Sequence, residues 1–199
     1  MPVGRPITYS PEYVIETAMQ LFWSNGYGPT SLQDLVEAMG LARSSFYQAF
    51  GSKRQLFLIC LDRYQEATAR ELVLRFEGAA TGYHFIEDAL LWAIEEVTEP
   101  VDPRGCLVVN TANEFAQRDT AVAERVSQGF DRYRTVFLAA ARQGQRDGSV
   151  RRDESAEVLA DYLVASMSGL RTMVKAGKDL EVLRGMVAMV ASALQRPPR

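Results

Sequence analysis

Two places in this sequence carry side chains that could do chemistry. Cys106 follows Arg104-Gly105 where a helix should begin, so the helix dipole and a neighbouring cation would favour the thiolate, the form that reacts with oxidants and electrophiles. The second place is the stretch 40–61, where Arg43, Lys53 and Arg54 stand without an acid. The acids of residues 1–60, Glu12, Glu16, Asp34 and Glu37, all precede it. A short helix there would present a local positive edge suited to phosphate, on a chain whose net charge is −3. That net charge excludes a protein that coats nucleic acid through a global positive field.

Other chemistries lack their parts. A thiol-dependent enzyme would need a base for Cys106, yet the single histidine, His84, stands at no motif spacing from it. Cys60 and Cys106 are too few and too far apart for a disulfide framework, and with one histidine they make no metal site. No glycine-rich phosphate loop occurs, so neither a cofactor nor an enzymatic activity is expected. The N-terminal residues hold no apolar run and no stretch is long enough to span a bilayer, which predicts a cytoplasmic protein with no membrane partner.

These residues need helices to position them. Ser10-Pro11-Glu12 offers a cap, a first-turn proline and a first-turn acid, and Val14, Ala18, Leu21 and Phe22 recur at helical spacing as far as Asn25-Gly26. Thr30-Ser31 with Asp34 starts a second helix that buries Leu32, Leu35, Val36 and Met39, and Gly40-Leu41-Ala42 breaks it. A third, Arg43 to Ala49, buries Phe46 and Phe50, and a long fourth runs from Ser52 to Gly78. Further helices are predicted near 83–98, 105–117, 120–147, 154–176 and 179–195, punctuated by Pro100, Pro103, Gly148 and Gly177. No segment alternates as a strand would, so the chain reads as all-α with about nine helices.

Two short helices joined by a glycine-containing turn can cross steeply enough to set the second in a major groove. The run Ala18, Phe22, Gly26-Tyr27, Thr30-Ser31, Asp34-Leu35, Gly40-Leu41, Ser45-Phe46-Tyr47, Phe50 and Ser52-Lys53 resembles the N-terminal signature of TetR-family regulators. The resemblance covers about the first third of the chain. Val36 and Ser44 depart from it, where alanine and glycine are usual. It implies a helix-turn-helix DNA-binding domain over 1–52 and a ligand-binding and dimerisation domain over 53–199, with helix 53–78 linking them. In such a domain Tyr47 and Lys53 would grip phosphates, as would Thr30 and Ser31 at the start of helix two. Arg43, Ser44, Ser45 and Gln48 would meet base edges or adjoining phosphates, and Arg5 would enter the minor groove as part of an extended arm.

The same resemblance predicts a homodimer on a palindromic operator in double-stranded DNA, paired through the last two helices. Leu163, Met167, Leu170, Met186, Met189 and Val190 are the candidates for that contact. A small apolar or aromatic effector would bind among the middle helices. Trp92, Cys106, Asn110, Asn113, Phe115, Phe137 and Arg171 are the candidate contacts, the asparagines because inward polar groups need partners. The reading is a repressor released by that effector. The alternatives are a repressor that senses oxidants or electrophiles through Cys106, a thiol-dependent enzyme, and an interaction module that has lost DNA binding.

Overall fold

The computed structural model describes residues 10–95, 103–115 and 118–195. Nine helices and no strand occur among them: α1 (Pro11–Asn25), α2 (Leu32–Met39), α3 (Arg43–Phe50), α4 (Lys53–Gly78), α5 (Gly82–Trp92), α6 (Leu107–Phe115), α7 (Thr120–Asp147), α8 (Ala156–Lys175) and α9 (Leu180–Ser192). Their caps follow from local sequence. Ser31, Thr81, Asp119 and Ser155 each accept an amide hydrogen bond at the start of α2, α5, α7 and α8. Pro11 stands in the first turn of α1, where its missing N–H costs no hydrogen bond.

The chain divides after Arg63 into two compact units. The expected boundary fell at residue 52, before α4. The first unit also takes in 53–63, because Leu56, Phe57, Cys60 and Leu61 are buried there. The Phe57 ring meets Phe22 edge-on at 5.1 Å and Tyr27 at 4.9 Å, and the Cys60 thiol reaches the Ile15 carbonyl at 3.6 Å. With Val14, Ala18, Leu35 and Phe46 these side chains form the core of the unit.

In the second unit α7 packs against α5, α6 and α8, and α9 packs on α5 and α8. Phe85 joins the core between Phe76, at 5.2 Å, and Phe137, at 5.8 Å. Helices α5 and α7 approach closely because Gly82 has no side chain to hold them apart. A Cβ on Gly82 would run into the backbone at the Ala140 carbonyl and come within 2.6 Å of the Gly144 Cα. The Gly82 amide is held there by the Asp147 carboxylate at 3.1 Å.

Backbone atoms at that crossing cannot step aside as a flexible side chain could. Gly82→Ala is therefore expected to cost about 1–3 kcal/mol, read as a lower midpoint in urea denaturation of the purified protein; an unchanged midpoint would show that the crossing is looser than described.

Candidate nucleic-acid interface and interior cavity

In the first unit, α2 and α3 are joined by Gly40, Leu41 and Ala42. Gly40 adopts φ 65°, ψ 28°, the left-handed conformation that glycine reaches without Cβ strain. Leu41 is buried, and its amide returns to the Val36 carbonyl at 2.9 Å. Helix α3 has one buried residue, Phe46. With that ring inward, helical periodicity turns Arg43, Ser44, Tyr47 and Gln48 to solvent, and Ser45 is half-buried. Tyr47 is 50% exposed. Ala42 caps α3 without a side-chain acceptor, and no acid stands in its first turn, so the amides there face outward with their partial positive charge.

The start of α2 is different. The Ser31 hydroxyl accepts the Asp34 amide at 3.1 Å, and the Asp34 carboxylate accepts the Ser31 amide at 2.7 Å. These bonds, the backbone one first, hold the Asp34 carboxyl below its ordinary value. Two amide donors are used and a negative charge is added. Thr30 is fully buried, and its hydroxyl donates to the Gly26 carbonyl at 2.7 Å, so it cannot meet a phosphate as expected. The residue just ahead of the cap packs inward to fix the entry of the chain.

Helix α4 begins on Ser52, whose hydroxyl accepts the Gln55 amide at 3.1 Å. Lys53 Nζ lies 4.2 Å above the centre of the Tyr27 ring, a cation–π contact that keeps the ammonium at this helix start. Arg5 lies outside the described residues.

In the second unit, α4, α7, α8 and the residue before α6 enclose a cavity of about 10 Å³, room for one water-sized group. Tyr64, Thr68, Cys106, Tyr133, Met167 and Arg171 are among its walls. Arg171 is 8% exposed and its guanidinium lies 4.8 Å from the centre of the Trp92 ring. Burial pushes the Tyr64 and Tyr133 phenols well above their ordinary value, so both remain neutral hydroxyls. The Tyr64 hydroxyl is within hydrogen-bonding reach of the Cys106 thiol. The Tyr133 hydroxyl has no hydrogen bond of normal geometry; the Thr68 hydroxyl stands near enough to act on it as a weak hydrogen-bonding neighbour.

Residues 14–60 match the family described as "Bacterial regulatory proteins, tetR family", and residues 85–190 match the "Tetracyclin repressor-like, C-terminal domain". The Bacillus subtilis (strain 168) protein YezE, named as an uncharacterized HTH-type transcriptional regulator, is 30% identical over 196 residues, which are 96% of this chain and 100% of that protein. The chain belongs to the TetR family of transcriptional regulators. The transcriptional repressor DhaR of Mycobacterium sp. (strain GP1) is 27% identical over 92% of this chain and 91% of its own length. Among solved structures, a triple cysteine variant of the TetR-family regulator CifR in complex with 26-base-pair operator DNA superposes with a TM-score of 0.85. It is 30% identical and covers 96% of this chain and 100% of that one. The TetR-family protein described here is accordingly a DNA-binding transcriptional regulator with an N-terminal helix-turn-helix.

Of the side chains expected to meet an effector, Cys106 and Arg171 line the cavity and Trp92 stacks on Arg171. Trp92 itself faces a larger open cleft of about 320 Å³, with Arg75, Asp88 and Arg184. The others are elsewhere. Asn110 donates to the Arg104 carbonyl at 2.9 Å and so fixes the turn into α6, while Asn113 is exposed. Phe115 is half-buried outside the cavity wall, and Phe137 is wholly packed in the core. Sequence reading passed over Tyr64, Thr68 and Ser168, whose only signal was a polar group on an apolar helical stripe.

The expected dimer contacts divide in the same way. Leu163, Met167 and Leu170 are buried within their own subunit and are unavailable to a partner. Met186 and Val190 are half-buried, and Met189 is 72% exposed. The outward apolar side chains of α8 and α9 are instead Val158, Tyr162, Met173, Val182 and Met189, interspersed with exposed Ala165, Gly169 and Gly185.

The Ser31–Asp34 cap links stability to pH. Because the folded Asp34 carboxyl sits below its unfolded value, the stability it adds is present above the unfolded value and is lost as the pH falls through the folded one. Asp34→Asn, which removes the titrating group, should lower stability at neutral pH and flatten the loss on acidification. Urea titrations from neutral to acidic pH measure both, and a parallel pair of curves would contradict the assignment.

Proposed function

We propose that this regulator is a homodimeric repressor whose two α3 helices read the half-sites of a palindromic operator, and which a small organic effector bound in the second unit releases. The observation that carries the DNA reading is the arrangement of α3. One buried aromatic anchors it, an uncapped and acid-free N-terminus faces outward, and Arg43, Ser44, Tyr47 and Gln48 share its open face. Tyr47 and Lys53 would position the duplex through phosphates, and the residues between them would meet the bases. The 26-base-pair operator bound by the CifR variant supports a site of this kind. Half-sites about 34–36 Å apart, one helical turn, would match a two-fold protein.

Pairing through α8 and α9 is supported by the exposed apolar side chains of those helices and by the small residues among them. Nothing lies within 4 Å of a Cβ built on Gly169 or Gly185, which leaves room for the backbone of a second copy to approach. Helix α4 supports a route for release. It runs unbroken from Lys53 at the DNA-facing start to Tyr64 and Thr68 in the cavity wall, so an occupant of the cavity acts on the helix that carries Lys53. For Cys106, 8% exposure supports a packing role over oxidant sensing, since reactive thiols sit in partly exposed places.

Fragments selected from the source genome by the purified protein supply the operator. On it, Tyr47→Phe and Lys53→Ala should each weaken binding about tenfold, and Lys53→Ala should reduce the dependence of log affinity on log salt by about one unit; full affinity in the double variant would refute the reading. Met189→Glu, which places a charge on the outer face of α9, should shift the protein from dimer to monomer in sedimentation equilibrium, and a persistent dimer would place the interface elsewhere.

A further inference from the structure

Among the described residues Arg171 is the one charged side chain that is buried. A guanidinium taken out of water carries a large desolvation cost unless something electron-rich faces it. The Trp92 ring, 4.8 Å away, supplies part of that. No carboxylate of the described residues pairs with it, whereas Arg75, Arg134, Arg142 and Arg151 all have acid partners at 2.6–2.9 Å. Its companions in the cavity wall do not neutralise it either. Tyr64 and Tyr133 remain protonated under burial and so offer hydrogens rather than negative charge. Tyr133, 4% exposed, has a hydroxyl without a partner. A cation and a hydroxyl donor thus line one small cavity, and the group missing between them is an acceptor.

The remaining walls narrow the choice. Beside Thr68, Cys106 and Ser168, Val164 and Met167 give the wall an apolar part, which suits an organic molecule better than an inorganic anion. One cation matches a single negative charge, and the planar fork of a guanidinium matches the two oxygens of a carboxylate. The larger cleft at Trp92 is open to solvent: its Arg75 is already paired with Glu71 at 2.8 Å and Asp88 at 2.9 Å, and its Arg184 is exposed, so neither is a desolvated cation in need of an anion.

We propose that this cavity is a recognition site for a small carboxylic acid, bound as its anion. Arg171 takes the carboxylate oxygens, Tyr133 donates to one of them, and the apolar tail lies against Val164 and Met167. The present volume of about 10 Å³ holds one water-sized group, so the acid enters as Met167, an unbranched and adaptable side chain, yields space for both head group and tail. The proposal rests on the reading that the effector binds in the second unit, and it names that effector's chemistry.

The test uses the full chain with sodium butyrate and sodium benzoate, against butyramide and benzamide at equal ionic strength, by calorimetric titration and thermal unfolding. At least one acid should bind and raise Tm while its amide does not. Arg171→Met should weaken acid binding roughly a hundredfold and Tyr133→Phe about tenfold. Tyr133→Phe removes only a hydroxyl that makes no hydrogen bond of normal geometry, so it decides the matter if the arginine variant does not fold. Amides that bind as well as acids, no binding of either acid, or a Tyr133→Phe protein that binds acid like the parent would each overturn the site. Release from operator DNA is scored separately. Acid binding without release keeps the carboxylate site and overturns its effector role, and operator binding without acid binding overturns the site alone.

Discussion

The Phe46 ring is the tether of the DNA-facing unit. An isolated helix of eight residues is not stable in water, so α3 owes its existence to what it packs against. Phe46 is its only fully buried side chain, with Tyr47 and Phe50 each 5.6 Å from it, centre to centre. That one burial fixes the rotation of α3 about its axis. The helical period then decides which residues face outward, and Gly40 with the buried Leu41 fixes where the helix starts. Every polar side chain offered to a duplex depends on this placement.

Around that tether the local electrostatics differ from one helix start to the next. Helix α2 spends its first donors on its own serine and aspartate, and carries a negative charge there. Helix α3 has no such cap. At α4 a lysine is held over the Tyr27 ring. Dipoles of the same kind therefore serve different ends: that of α2 stabilises the fold, that of α3 leaves positive potential at the surface, and α4, capped by Ser52, adds the charge of Lys53.

The second unit is organised by close helix contact. Glycines at the crossing of α5 and α7 let backbones touch, and aromatic rings fill the space beyond. In so apolar an interior Arg171 is an exception, and its burial beside two phenols and a thiol gives the cavity its character. A packing requirement alone would be met by leucine or methionine at that position. The cation is what sets this cavity apart from the apolar packing around it.

Much of this was legible in the sequence, for a physical reason. Caps, first-turn proline, glycine turns and the 3.6-residue period are local, so the nine helices of the described residues, the turn at Gly40 and Phe46 as the anchor of α3 could be read from residue types and spacing, whereas Phe50, expected to be buried with it, is half-buried. Local pattern could not say which of two apolar stripes on one helix faces its own subunit. On α8 the stronger stripe, Leu163, Met167 and Leu170, packs inward, and the outer one is made of Val158, Tyr162 and Met173 set among small residues. Nor could it show that Thr30 turns its hydroxyl back to Gly26, or that Asn113 faces solvent. Tyr64, Tyr133, Cys106 and Arg171 come from four separate segments, and their meeting in one cavity is a property of how helices cross, which only the packed core decides.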